Sequence, residues 1–239
     1  MYNTIRGKKG KKMLLHIPHS NTIIPSYEEQ MAKDKNVLES IEKYTDHRTS
    51  ELFHYEKAER VEYGYSRLFC DVEKLEKNEP MEALGLGILY EVSNASRKYP
   101  EKALATYKEH HKKLLEITKK QKEMFDKVVI VDCHSFSNEQ AVEQGFSSDI
   151  PDICLGRDEI HTSSELLKLC KEHFEKDGYS IGINTPFSGT IIPLELYGDE
   201  NILSIMIEVN KAVYADEEGF DRLKRSIGVL LGEIEFLYG

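Results

Sequence analysis

The stretch Val128–Phe136 reads Val-Val-Ile-Val-Asp-Cys-His-Ser-Phe, and it constrains this chain more than any other. Its β-branched run is short for a helix and rich in strand formers, which predicts a buried strand. The run ends abruptly in an acid, a thiol, an imidazole and a hydroxyl. In open α/β sheets ligands bind beyond the carboxyl ends of the strands, where His134 falls. Met13–Ser20 shows the same design, ending at His19, with Pro18 discouraging continuation of a central ladder. Ile202–Asn210 places Glu208 near its end. As neighbouring parallel strands, the three would bring two imidazoles and a carboxylate to one edge. Such a set holds a divalent metal or does acid–base work.

The order of elements supports a sheet of that kind. Ser26 with Glu29 forms a capping-box pattern and predicts a helix over about 27–43. Thr45-Asp46 opens a second, over about 46–57. Asp46 is read either as a favourable charge at a helix start or as part of the site. Residues 59–72 have strand composition, which places Arg67 inside a strand. A buried guanidinium needs a partner, either an internal acid such as Asp71 or a substrate carboxylate. Residues 74–96 form a long polar connection; the Gly-Leu-Gly at 85–87 lacks the third glycine of a dinucleotide fingerprint. Pro100–Asp126 is the longest helical pattern, and its spacing turns Ala103, Tyr107, His111, Leu114 and Thr118 inward, with His110 facing elsewhere. Because this helix feeds directly into the strand at Val128, the sheet is expected to be mostly parallel.

Further along, 151–156 reads as a strand. Thr162 with Glu165 caps a helix that ends before Gly178, and 179–184 reads as another strand. The Pro- and Gly-containing stretch 185–190 is a loop at a substrate rim. An amphipathic helix over 217–237 closes the chain, with Phe220, Leu223, Ile227, Leu230, Leu231 and Ile234 near one face. No repeat or domain boundary is visible, so residues 1–239 are read as one domain with a flexible basic leader at 1–12.

Composition narrows the function classes. A formal net charge of −10 argues against nonspecific nucleic-acid binding, and no apolar stretch is long enough for a membrane span. The four cysteines include no Cys-x-x-Cys pair and are expected as reduced thiols in a cytoplasmic protein. Strand alternation points Cys133 away from His134, as a structural thiol. Asp132, two residues before His134, shares its face and is placed to orient the imidazole.

The ordered motifs resemble those of the N-formylglutamate amidohydrolase family, among the zinc-carboxypeptidase-like hydrolases. They are Ile17-Pro18-His19-Ser20, Thr45-Asp46-His47-Arg48-Thr49, Ser66-Arg67 through Asp71, His111 with Leu114, Asp132 through Phe136, Asp152 through Gly156, Asn184 through Gly189, and Ile207 through Asn210 with Tyr214. The resemblance implies a three-layer α/β/α fold with a mixed, mostly parallel sheet and one divalent metal, zinc by preference. It implies hydrolysis of a small anionic N-acyl amino acid, N-formyl-L-glutamate giving formate and glutamate, by a monomer or small homo-oligomer. Carried over by position, His19, Asp46 and His134 are the metal ligands and Glu208 the general base. Arg67 is a carboxylate clamp, and Asn184, Gly189 and His111 border the substrate.

The chain departs from the family pattern at Glu73 and Lys74, where Asn then Arg are usual, and it lacks the paired glycines after Asn184. Those departures bear on the substrate more than on the metal chemistry. They keep open a carboxypeptidase-like or deacylase activity on another small amide, and a catalytically silent homologue that binds a small acid or a partner protein.

Overall fold

A computed structural model of the chain describes residues 12–74, 98–146 and 149–238. Residues 1–11 of the basic leader and the glycines of the long polar connection lie outside the described residues. The strands are β1 (Met13–Ile17), β2 (Ala58–Glu62), β3 (Val128–Phe136), β4 (Ile153–Gly156), β5 (Ile181–Ile183) and β6 (Ile202–Asn210). They form one sheet in the order β2-β1-β3-β6-β4-β5. The pairs β2–β1, β1–β3, β3–β6 and β4–β5 are parallel, and β4 runs antiparallel to β6. The three strands singled out in the sequence are thus parallel neighbours at the centre of a mixed sheet.

Alternation along these strands sorts side chains onto two faces. One carries Met13, Leu15, Ile17, Val129, Val131, Cys133, Leu203, Ile205 and Ile207. It packs against α6 (Ser164–Lys176) and α7 (Glu217–Leu237) through Leu166, Cys170 and Phe174 of one and Phe220, Leu223, Ile227 and Leu230 of the other. The opposite face carries Leu14, Val128, Ile130 and Ile202, covered by Leu114 of α4 (Pro100–Met124). Helices on both faces make the three-layer α/β/α arrangement. Cys133 belongs to the first face, and burial pushes its thiol pKa up. It is a core residue, as the alternation predicts.

Several local expectations are corrected. The helix expected over 27–43 is two, α1 (Glu29–Lys33) and α2 (Lys35–Tyr44). Asp34 caps the second, accepting from the amides of Asn36 and Val37, whereas α1 has no side-chain cap, so the Ser26 box does not form. The helix expected over 46–57 shrinks to α3 (Thr49–Leu52). Asp46 does not cap it, because its carboxylate is drawn to the imidazoles described below. The strand expected over 59–72 ends at Glu62, and Arg67 lies in the following turn. The cap of α6 is Ser163, accepting from the Leu166 amide, while Thr162 donates to the Ser204 carbonyl instead.

On α4 the inward histidine is His110. It is buried with Ala103, Tyr107, Leu114, Thr118 and Gln121, and His111 is half-buried at the edge of that stripe. The steps 103, 107, 110, 114, 118 and 121 follow a 3.6-residue period more closely than the series that included 111. The remaining short helix, α5 (Asn138–Glu143), starts from a true capping box between Ser137 and Gln140.

Candidate active site

The register of the central strands assembles the site. His134 of β3 pairs with Glu208 of β6, and His16 of β1 pairs with Asp132 of β3. Residues in register on parallel strands leave the same face, so His16, Asp132, His134 and Glu208 rise together from the α4 side of the sheet. His19 follows two residues after β1. Its carbonyl accepts from the Asp46 amide, which ties the loop bearing Asp46 to the strand end.

His19, Asp46 and His134 converge, all three buried. Asp46 Oδ2 lies 3.2 Å from His134 Nδ1 and 3.7 Å from His19 Nδ1, and it accepts from the Ser135 amide at 3.1 Å. Donors on one divalent ion, with bonds of about 2.0–2.2 Å, stand roughly 3–3.6 Å apart, close to these separations. His19 Nδ1 is buried and has no hydrogen-bond partner among the described residues.

The far sides of both rings are held by carboxylates. His19 Nε2 meets Asp71 Oδ1 at 2.8 Å, and His134 Nε2 meets Asp132 Oδ1 at 3.1 Å. Carboxylate–imidazole pairs of this kind fix the tautomer and the orientation of a metal-binding ring. Asp71 is in turn gripped by Arg67, whose Nε and Nη2 donate to Oδ2 at 3.2 and 2.8 Å. The donor set therefore fits a divalent cation: two imidazole nitrogens and one carboxylate oxygen, with both rings braced from behind.

The electrostatics match the geometry. Burial alone would raise the Asp46 pKa, but the imidazoles of His134 and His19 outweigh it and hold the carboxyl below the ordinary range. Burial would lower the His134 pKa, yet Asp132, Asp46 and Glu73 hold it well above the usual imidazole value. Glu208 behaves oppositely, with burial pushing its pKa up to about 8. Its Oε2 is buried with no hydrogen-bond partner among the described residues. A buried carboxyl raised toward neutrality beside candidate metal ligands has the properties of a general base.

Comparison with known proteins bears on the same site. Residues 11–215 match the family model described as N-formylglutamate amidohydrolase. The chain belongs to the N-formylglutamate amidohydrolase family. Its fold is similar to the crystal structure of N-formylglutamate amidohydrolase from Ralstonia eutropha JMP134, with a TM-score of 0.77 and 19% identity over 96% of this chain and 94% of that one. It is also similar to the crystal structure of a gene product from Agrobacterium tumefaciens, with a TM-score of 0.68 and 22% identity over 95% and 93% of the two chains. No curated protein matches the sequence significantly. As a member of this family the chain is an amidohydrolase.

Asn184, Gly189 and His111, also expected at the site, make local contacts that order nearby loops. Asn184 has a left-handed backbone (φ 52), and its Oδ1 accepts from the amides of Arg157 and Gly189, which braces the loop. Gly189 passes over Gly156 so closely that a Cβ on Gly156 would meet the Gly189 carbonyl oxygen at 2.2 Å. His111 points its Nε2 at the Val72 carbonyl, 2.8 Å away, and so steadies the turn that carries Asp71 and Glu73.

Two neighbours, Lys211 and His16, were not singled out in the sequence, and a third, Glu73, stood out only as a departure from the family pattern. Lys211 is half-buried and donates to the Thr45 carbonyl at 2.7 Å, beside Asp46 and Glu208, with burial lowering its pKa. His16 is fully buried behind Asp132, and Glu73 reaches in beside it. His16 carried a readable signal, an imidazole at an alternating position of a core strand, where burial requires partners. An open groove of about 560 Å³ lined by Glu42, His47, Asn138, Asn210 and Lys211 adjoins the site at the strand ends.

Proposed function

We propose that the chain is a metal-dependent amidohydrolase of a small N-acyl amino acid, N-formyl-L-glutamate by preference, yielding formate and glutamate. The observation that carries this reading is the convergence of His19 and His134 on Asp46 Oδ2, with Glu208 in register beside them. His19, Asp46 and His134 would hold one divalent ion, zinc by preference, which would acidify water and polarise the amide carbonyl.

The remaining steps belong to the chain's own groups. Glu208 takes the proton of the attacking water at its carboxylate and passes it to the leaving amide nitrogen. Asp132 and Asp71 keep the two imidazoles aimed inward, so they act through the rings rather than on the substrate. Arg67, which also pairs with Asp71, serves as the carboxylate clamp. Asn184, Gly189 and His111 shape the rim.

The four cysteines are buried and form no disulfide, which supports a reducing compartment such as the cytoplasm. Among the described residues no helix is long and apolar enough to cross a membrane. The direct test is product release from N-formyl-L-glutamate set against N-acetylglutamate and a dipeptide. Formate production on the first compound supports the reading. Turnover confined to the dipeptide would move the chain to a peptidase-like role, and inertness toward all three would favour a silent binding homologue.

A further inference from the structure

We infer that His16, Glu73 and Asp132 form a second divalent-cation site, on the opposite edge of the His134 ring from Asp46. The inference stands apart from the substrate reading and shares with it Asp132, which also holds the His134 ring. His16 Nδ1 lies 2.8 Å from Asp132 Oδ1 and 3.0 Å from Glu73 Oε1, and the three donor atoms all fall within 4.8 Å of one another. The two His16 separations are close to those of donors on one small divalent ion.

Hydrogen bonding alone does not satisfy this cluster. His16 Nδ1 carries at most one proton, and two carboxylate oxygens face it. Glu73 Oε1 is buried, makes no hydrogen bond among the described residues, and points between His16 Nδ1 and His134 Nε2, the latter 3.7 Å away. An ionised oxygen buried without a donor is costly, and a cation at that point would satisfy both acids together.

The other side of His16 agrees. Its Nε2 meets His110 Nε2 at 2.8 Å, a contact that needs one proton between the two rings. With the shared proton on His16 Nε2, the Nδ1 lone pair is left to bind an ion, and His110 orients the ligand ring from behind. One imidazole and two carboxylates form an oxygen-rich set that suits Mn²⁺ or Zn²⁺. The competing state is an imidazolium on His16 clasped by the two acids, with no ion present.

The test uses the full chain, stripped of metal by chelation and then crystallised with Zn²⁺ or with Mn²⁺ alone. Anomalous difference maps at each metal edge should show two peaks, one among His19, Asp46 and His134 and one among His16, Glu73 and Asp132. Metal analysis should give about two equivalents per chain, falling to about one in Glu73→Gln. A single peak at the first position, with the same content in wild type and Glu73→Gln, would overturn the second site and leave the first intact. A peak at the second position only would support this inference and count against the proposed catalytic ligands. Because the wild-type map is decisive by itself, a poorly folding Glu73→Gln does not spoil the test.

Discussion

His134 and Glu208 are register partners on adjacent parallel strands, so an imidazole and a carboxylate leave the same face of the sheet at the same level. Neither can move far without breaking a ladder buried along its whole length. The proposed base is thereby fixed relative to the proposed ligand by backbone rather than by side-chain rotamers. Glu208→Gln keeps the size and burial of the side chain and removes its ability to accept a proton. Turnover of N-formyl-L-glutamate should fall by about a hundredfold or more, with metal content unchanged. A near-normal rate in this variant would remove Glu208 from the chemistry.

The raised pKa of Glu208 makes a prediction about stability in metal-free protein. From an unperturbed value of 4.5 to about 8, the unfolded chain ionises this group while the folded chain retains its proton. The native state then binds more protons, so stability is lost as pH rises through that window and levels off above it. Glu208→Gln lacks this slope. Near pH 8 it should exceed the wild type in stability by a few kcal/mol, and below the unfolded value the two should converge. Denaturant titrations across pH measure the difference, and parallel curves for the two proteins would refute the assignment.

Asp71 links two functions, holding His19 Nε2 with one oxygen and Arg67 with the other. Asp71→Asn should weaken metal binding by about 10–100-fold, through the loosened imidazole. Competition with a chromophoric chelator reads this directly, and an unchanged affinity would mean that His19 is not a ligand.

Arg67→Ala separates substrate binding from structure. As a carboxylate clamp, Arg67 contributes equally to ground state and transition state, so KM should rise tenfold or more, with kcat little changed. A lowered melting temperature with an unchanged KM would leave Arg67 as the internal partner of Asp71 alone.

Ile207 precedes Glu208 but faces the α7 layer, in the cluster with Val209, Leu230 and Leu231. Ile207→Ala should cost about 2–5 kcal/mol of stability through the cavity it leaves. Metal content should be retained, in contrast to substitutions on the opposite face. Loss of metal with little loss of stability would contradict the two-faced description of the sheet.

The sequence was most legible where burial and chemistry coincide on one strand. Val128–Phe136 announced both its conformation and its site end, because a β-branched run followed by Asp, Cys, His and Ser has few other uses. The α7 stripe was equally plain, since Phe220, Leu223, Ile227, Leu230, Leu231 and Ile234 are all buried as their spacing requires. Local signals misled where tertiary demand overrode them. Thr45-Asp46 looks like a helix start, but Asp46 is pulled toward His134, His19 and the Ser135 amide. On α4, one residue of phase decided between His110 and His111, and periodicity over a long helix tolerates that error. Glu73 was visible only as a departure from a pattern. Its neighbours His16 and Asp132 lie far off in sequence, so only the fold discloses their proximity.

The most direct measurement of the central claim is turnover after metal removal and return. Chelated protein should lose hydrolysis of N-formyl-L-glutamate and regain it when Zn²⁺ is added, whereas His134→Ala, treated identically, should stay inactive. Chelated protein that hydrolyses the amide at the original rate, with no metal detectable, would contradict the account.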